Sequence, residues 1–210
     1  MSHSVSDGYG LLGCSFLVLA VVGLWLRPFV KSVVARLGIL GGILVISWIP
    51  IPGISLVVFL RGVMGDVSVP TFLLCGLMVW RCLDPSGGKG SASQKKPPFS
   101  APNPSLHWFF LIVVIVGCLF YPMTMGFTLA DPYSWGFAPH GMILVCLGLV
   151  LVLDFSGQRS AATLILLAIA AYAVGIMETS NLWDYLMDPL LFGISVVMTC
   201  RFMARARSVL

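Results

Sequence analysis

Apolar residues in this chain come in long unbroken runs, without the alternating or three-to-four-residue rhythm of a soluble fold. Seven runs approach the roughly 20 residues that a helix needs to cross a hydrocarbon layer: 11–26, 37–56, 67–83, 106–122, 137–154, 161–177 and 186–203. The expected fold is all-α, a polytopic transmembrane helix bundle of about seven spans, because a backbone in lipid must satisfy its own N–H and C=O groups. The last run is the weakest, since 190–200 supplies only about 16 Å of uninterrupted apolar helix against a core of about 30 Å. To complete it, either Asp184 and Asp188 enter the outer leaflet on an extended helix, or the membrane thins and the arginines of the tail snorkel. Small residues suggest close helix contacts at Gly38 and Gly42, spaced as GxxxG, and at Ala168, Ala171 and Gly175, which would place the sixth span centrally.

The polar segments between the runs are sorted by charge. Arg27, Lys31, Arg36, Arg81, Lys89, Lys95, Lys96, Arg159, Arg201, Arg205 and Arg207, eleven of the twelve cations, fall in alternate connections, while Arg61 alone lies in the others. The positive-inside rule puts the basic connections in the cytoplasm and orients the chain N-out and C-in, which requires an odd number of spans. Asp7, Asp66, Asp131, Glu178, Asp184 and Asp188 then lie on the outer side. Trp48, Trp135 and Trp183 mark outer ends, and Trp25, Trp80 and Trp108 inner ends. The start carries no Lys or Arg before its first apolar run, so that run is expected to be retained as a helix.

One connection is long. Residues 84–105, rich in Gly, Ser, Pro and Lys, are expected to be a disordered cytoplasmic linker. It divides an N-terminal unit of three helices, 1–83, from a C-terminal unit of four, 106–210, the two forming one integral membrane domain. Composition agrees with a membrane setting: 59% of residues are hydrophobic, 10% are charged and the mean hydropathy is +1.01. Short loops and a clean charge bias point to a bacterial inner membrane, with the lipid bilayer and a membrane protein as partners and no role for nucleic acid.

Candidate chemistry concentrates in 178–189, ETSNLWDYLMDP, which holds three of the eight acidic residues. On a helix, Asn181, Asp184 and Asp188 share one face and Leu182, Trp183, Leu186 and Met187 the other. Glu178, Asn181, Asp184, Tyr185 and Asp188 are therefore the candidate polar site. Facing a water-filled vestibule, these oxygens suit a hard cation or a proton relay, and paired carboxylates in a low dielectric push at least one pKa upward. The competing reading is structural, an outer loop with Pro189 starting a helix. Asp131, beside Pro132, Tyr133 and Trp135, reads as a turn rimmed by aromatics, and Asp66 as a partner for Arg61.

No complete catalytic, nucleotide or metal signature occurs, and no cofactor is expected. His3, His107 and His140 are far apart, Cys14, Cys75, Cys82, Cys118, Cys146 and Cys200 form no CxxC pair, and Ser55 and Ser195 in G-x-S have no histidine at matching depth. The leading expectation is a non-catalytic accessory subunit or assembly factor of a membrane complex. The alternatives are a small ion-coupled transporter using the outer carboxylates, or an enzyme acting on a lipid headgroup.

Overall fold

The computed structural model describes residues 2–50, 53–83 and 104–207. Among them every regular element is helical and no strand occurs. They fall into two compact units, one drawn from Met1–Val67 with Phe72–Ser100, the other from Ser68–Thr71 with Ala101–Leu210. Residues 84–103, most of the expected linker, lie outside the described residues, while Pro104 opens a helix.

The first unit contains α1 (Ser2–Leu26), α2 (Val33–Trp48), α3 (Leu56–Met64) and all but the first turn of α4 (Val69–Leu83). The expected span 37–56 is corrected here. Helix α2 stops at Trp48 because Ile49 precedes Pro50 and takes an extended conformation, and Gly53 then turns the chain with φ +98°. Ser55 caps the separate nine-residue α3 by accepting from the Val58 N–H at 3.3 Å. Leu19, Ala20 and Leu26 of α1 pack with Leu40 of α2 and with Cys75 and Val79 of α4 to form the unit's core.

Polar groups tie this unit at both ends. Arg61 of α3 reaches Asp66 at 2.9 Å and Asp7 of α1 at 2.7 Å, with its own side chain only 18% exposed. The Arg61–Asp66 pair expected from sequence is thus more enclosed than a surface pair, and it lies over the backbone of Gly10. Trp48 donates its indole N–H to Ser15 Oγ at 3.0 Å. At the other end, the Arg36 guanidinium donates to the carbonyls of Cys82 and Lys31.

The second unit contains α5 (Pro104–Pro122), α6 (His140–Phe155), α7 (Arg159–Val174), α8 (Leu182–Leu186) and α9 (Pro189–Arg207). Helices α5 and α9 pack most extensively: the Phe192 ring occupies the space over Gly117, and His107 stacks on Phe202 with ring centroids 3.6 Å apart. A tight reversal at Gly157, φ +75°, folds α7 back on α6. Helix α7 buries Ala161, Ala162, Leu164, Ile165, Ala168 and Ile169, so of the expected small face Ala168 is buried and Ala171 half-buried. Gly175 serves instead as its left-handed C-cap, φ 69°. A methyl group on Gly38 or Gly42 of α2 would meet nothing within 4 Å among the described residues, so the GxxxG pair makes no close helix contact there.

Two helices, Ser6–Leu26 and Leu106–Phe127, are long and apolar enough to cross a membrane. Five shorter apolar helices accompany them: Val33–Trp48, Val69–Leu83, His140–Phe155, Arg159–Val174 and Pro189–Ala204. The expected last span, 186–203, is also corrected. Helix α8 ends at Leu186, Met187 is extended with φ −153°, and α9 begins afresh at Pro189. Proline has no N–H to continue a helix and drives the residue before it out of the α region.

Glycine substitutions in α1 separate these contacts. Gly8→Ala meets nothing within 4 Å and is expected to stabilise by up to about 1 kcal/mol through helix propensity. Gly10→Ala drives its methyl group into the Arg61–Asp66 pair and is expected to cost about 1–3 kcal/mol. Denaturant unfolding of both variants in detergent micelles checks the opposite signs.

Candidate functional site

The stretch 177–191 is a chain reversal held by its own polar side chains. Asn181, fully buried, caps α8 by accepting from the Trp183 N–H at 3.0 Å, and its amide donates to the Tyr133 carbonyl at 3.0 Å. Asp184 accepts from Thr179 Oγ1 at 2.6 Å, reaching back across the N-cap, and from the Tyr133 hydroxyl at 3.1 Å. Tyr185 points into the protein, where its hydroxyl accepts from the Met177 N–H at 3.0 Å and its ring meets Tyr172 edge-on. Asp188 caps α9 through the Leu191 N–H at 2.6 Å and also accepts from the Ser68 N–H at 2.7 Å.

The shared helical face expected for Asn181, Asp184 and Asp188 is absent, because α8 has only five residues and the chain is extended at Met187. Glu178 stands exposed before the turn. Asp131 lies on the adjoining turn Pro132–Gly136, a 3₁₀ element, where its carboxylate accepts from the Tyr133 N–H at 3.0 Å. Asp66 belongs to the first unit, paired with Arg61. The two elements 131–137 and 177–188 interlock: the Trp183 indole donates to the Pro132 carbonyl at 2.8 Å, and a side chain on Gly136 would collide with Asn181 and Trp183. Tyr133, Thr179 and Trp183 complete the cluster, yet only the acids and their immediate neighbours stood out in the sequence, since nothing in it links 133 to 184.

Burial, and then the nearby Asp184 carboxylate, push the Tyr133 phenol above its ordinary value. The hydroxyl therefore stays protonated and donates. Among the described residues no three His, Cys, Asp or Glu side chains come together in a way that would hold a metal ion. Ser55 is a helix cap, and Ser195 is buried on α9 with no hydrogen-bond partner for its hydroxyl among the described residues.

Beneath the interlocked turns lies an apolar cavity of about 640 Å³. Its walls include Phe109, Val113 and Val116 of α5 and Met142, Val145 and Cys146 of α6, and Trp135 and Trp183 stand at the end near the turns. No protein-family model, curated protein or solved structure matches this chain. The arrangement itself can hold an apolar group and anchor helix ends.

Two measurements follow from the bonding. Asp188→Ala removes a cap and leaves two N–H groups without their acceptor, at an expected cost of about 2–3 kcal/mol, while Asp188→Asn keeps one acceptor and costs roughly half as much. Unfolding in micelles at neutral pH reads both. The raised Tyr133 value also sets a pH dependence: its contribution is complete below the unfolded value of about 10 and is lost as pH rises from there through the folded value. Stability is expected to fall above about pH 10 in the parent, and Tyr133→Phe should remove that part of the fall while weakening the protein by about 1 kcal/mol below it.

Proposed function

We propose that this chain is a multi-pass integral membrane protein, N-out and C-in, that serves as a non-catalytic accessory subunit or assembly factor of a membrane complex. The observation that carries the non-catalytic reading is the engagement of its outer carboxylates. Asp131, Asp184 and Asp188 accept hydrogen bonds that cap or brace helices, and Asp66 is ion-paired, so the groups a carrier or hydrolase would use are committed to holding the fold.

The membrane setting is supported by an inverted distribution of polarity. Ser15, Ser47, Ser68, Thr71, Asn181 and Ser195 are buried, while Val34, Val45, Ile46, Val63, Leu144, Val145, Val152 and Phe155 are more than half exposed. Water would not tolerate so much exposed apolar surface on a monomer, but lipid hydrocarbon does. Seven helices, α1, α2, α4, α5, α6, α7 and α9, each hold 15 or more residues, which is the odd number that N-out and C-in demands. The short α3 and α8 then lie on the outer side. Six of the seven offer about 22–29 Å of α-helix, α5 being carried on by a π-helical turn to Phe127, so crossing for the other five relies on flanking residues or a locally thinner bilayer. Compact connections and the cytoplasmic bias of the cations favour a bacterial inner membrane.

The test begins with alkaline carbonate washing of membranes, which should leave the protein in the pellet. Mild-detergent extraction at native expression level should then yield a second membrane protein in fixed stoichiometry, and removing that partner should lower the amount of this chain. A lone monodisperse species whose transport activity disappears in Asp184→Asn would overturn the subunit reading in favour of a carrier.

A further inference from the structure

The cavity of the second unit is shaped for a particular class of guest. Its inner wall is buried at Phe109, Val113, Ile165 and Met187, whereas Trp135 and Val145 on its rim are 64% and 72% exposed. It is therefore open at the side, along α6. The Trp183 ring at its upper end packs on Phe120 with centroids 4.5 Å apart. From Phe120 down to Phe109, α5 rises about 16 Å, which matches one leaflet of a hydrocarbon core about 30 Å thick.

The lining is hydrocarbon and aromatic apart from Ser134, the indoles, the Met142 and Met187 thioethers and the Cys146 thiol, and the Trp183 indole N–H is already donated to Pro132. A guest gains by removing apolar surface from competing environments and has little to hydrogen-bond inside. With a methylene group filling about the volume of a water molecule, ~30 Å³, the space holds on the order of twenty. Charge around the upper end selects the headgroup. Asp131, Glu178 and Asp184 lie on the turns that roof the cavity, and no Lys or Arg occurs in 97–158 or 160–200.

We propose that this cavity is a lipid-binding site that takes one acyl chain of an outer-leaflet phospholipid whose headgroup carries no net negative charge. The site rests on the membrane reading above. A zwitterionic head bearing an ammonium group places its cation toward the acids of the roof, whereas an anionic phosphodiester with no compensating amine meets only like charge there. Bound this way, the chain fills the gap between α5 and α6 and lets the roof sit at the headgroup level, where tryptophan is at home.

Two cysteines provide the assay. Cys146 lines the cavity, and Cys118 on α5 is exposed and outside it. The full-length protein in a mild nonionic detergent is alkylated with N-ethylmaleimide, and each cysteine's rate is followed by peptide mass spectrometry. Adding palmitoyl-oleoyl phosphatidylethanolamine should slow Cys146 about fivefold, as for a site about four-fifths occupied, while Cys118 changes less than about twofold. Phosphatidylglycerol with the same chains should protect Cys146 less. In Gly141→Phe, made at a lining position where an added Cβ meets no atom within 4 Å, a ring that fills the cavity should leave added lipid no further protection to give.

No slowing of Cys146, or equal slowing of both cysteines, overturns the site. Equal protection by the two lipids overturns the headgroup preference. Should the protein stay in carbonate-washed membranes while Cys146 remains unprotected, only the lipid site fails. Release by carbonate would instead remove the membrane reading on which it stands.

Discussion

The constraint on which this fold depends is that a backbone leaving one helix and entering the next must find hydrogen-bond partners within the chain. Each helix end exposes N–H or C=O groups that the helix cannot satisfy itself. Where apolar side chains crowd the surface, water is a poor substitute, and the few polar residues take its place. Ser32 and Ser55 cap α2 and α3, Asn181 caps α8, Asp188 caps α9 and Asp131 caps the 3₁₀ turn. The buried tyrosine hydroxyl of Tyr185 does similar work for the Met177 backbone. The carboxylates are consequently best understood by what they hold. Two of them, Asp184 and Asp188, join segments far apart in the chain, to Tyr133 and to Ser68.

Much of this architecture is legible in the sequence because length and composition determine it. Long apolar runs without alternation satisfy their backbone most readily as helices, so the helical content and the positions of α4, α5, α6 and α7 follow within a few residues. The run 37–56 and the last run were harder to read, since hydropathy is blind to geometry: isoleucines and prolines keep the average apolar while Pro50 and Pro189 end one helix or start another. The same effect dissolved the expected polar face. A helical wheel assumes continuity through Met187, and Met187 is extended, two residues before the proline that opens α9.

The candidate site divides in the same manner. Its acids were visible because charge is rare in this chain, and the Arg61–Asp66 pair was visible because the residues are close in sequence. Its bonding was not. Tyr133 and Asp184 lie 51 residues apart, and no local pattern announces that their hydroxyl and carboxylate meet. The cavity was equally hidden, for it is made by the separation of α5 from α6 under two interlocked turns. Those turns connect the two themes of the molecule: bonds that satisfy helix ends also roof an apolar space, leaving an acidic upper end above a hydrocarbon wall. In the membrane setting proposed for this chain, that combination suits the lipid site proposed above.

Whether the carboxylates of 131–188 brace the fold is decided by a double-mutant cycle between Tyr133 and Asp184. Unfolding free energies in micelles at neutral pH are compared for the parent, Tyr133→Phe, Asp184→Asn and the double variant. A brace predicts non-additivity of about 1 kcal/mol or more, because either single change already breaks the same bond. Additive effects, with each single variant near the parent, would mean that Asp184 is a hydrated loop residue available for other chemistry.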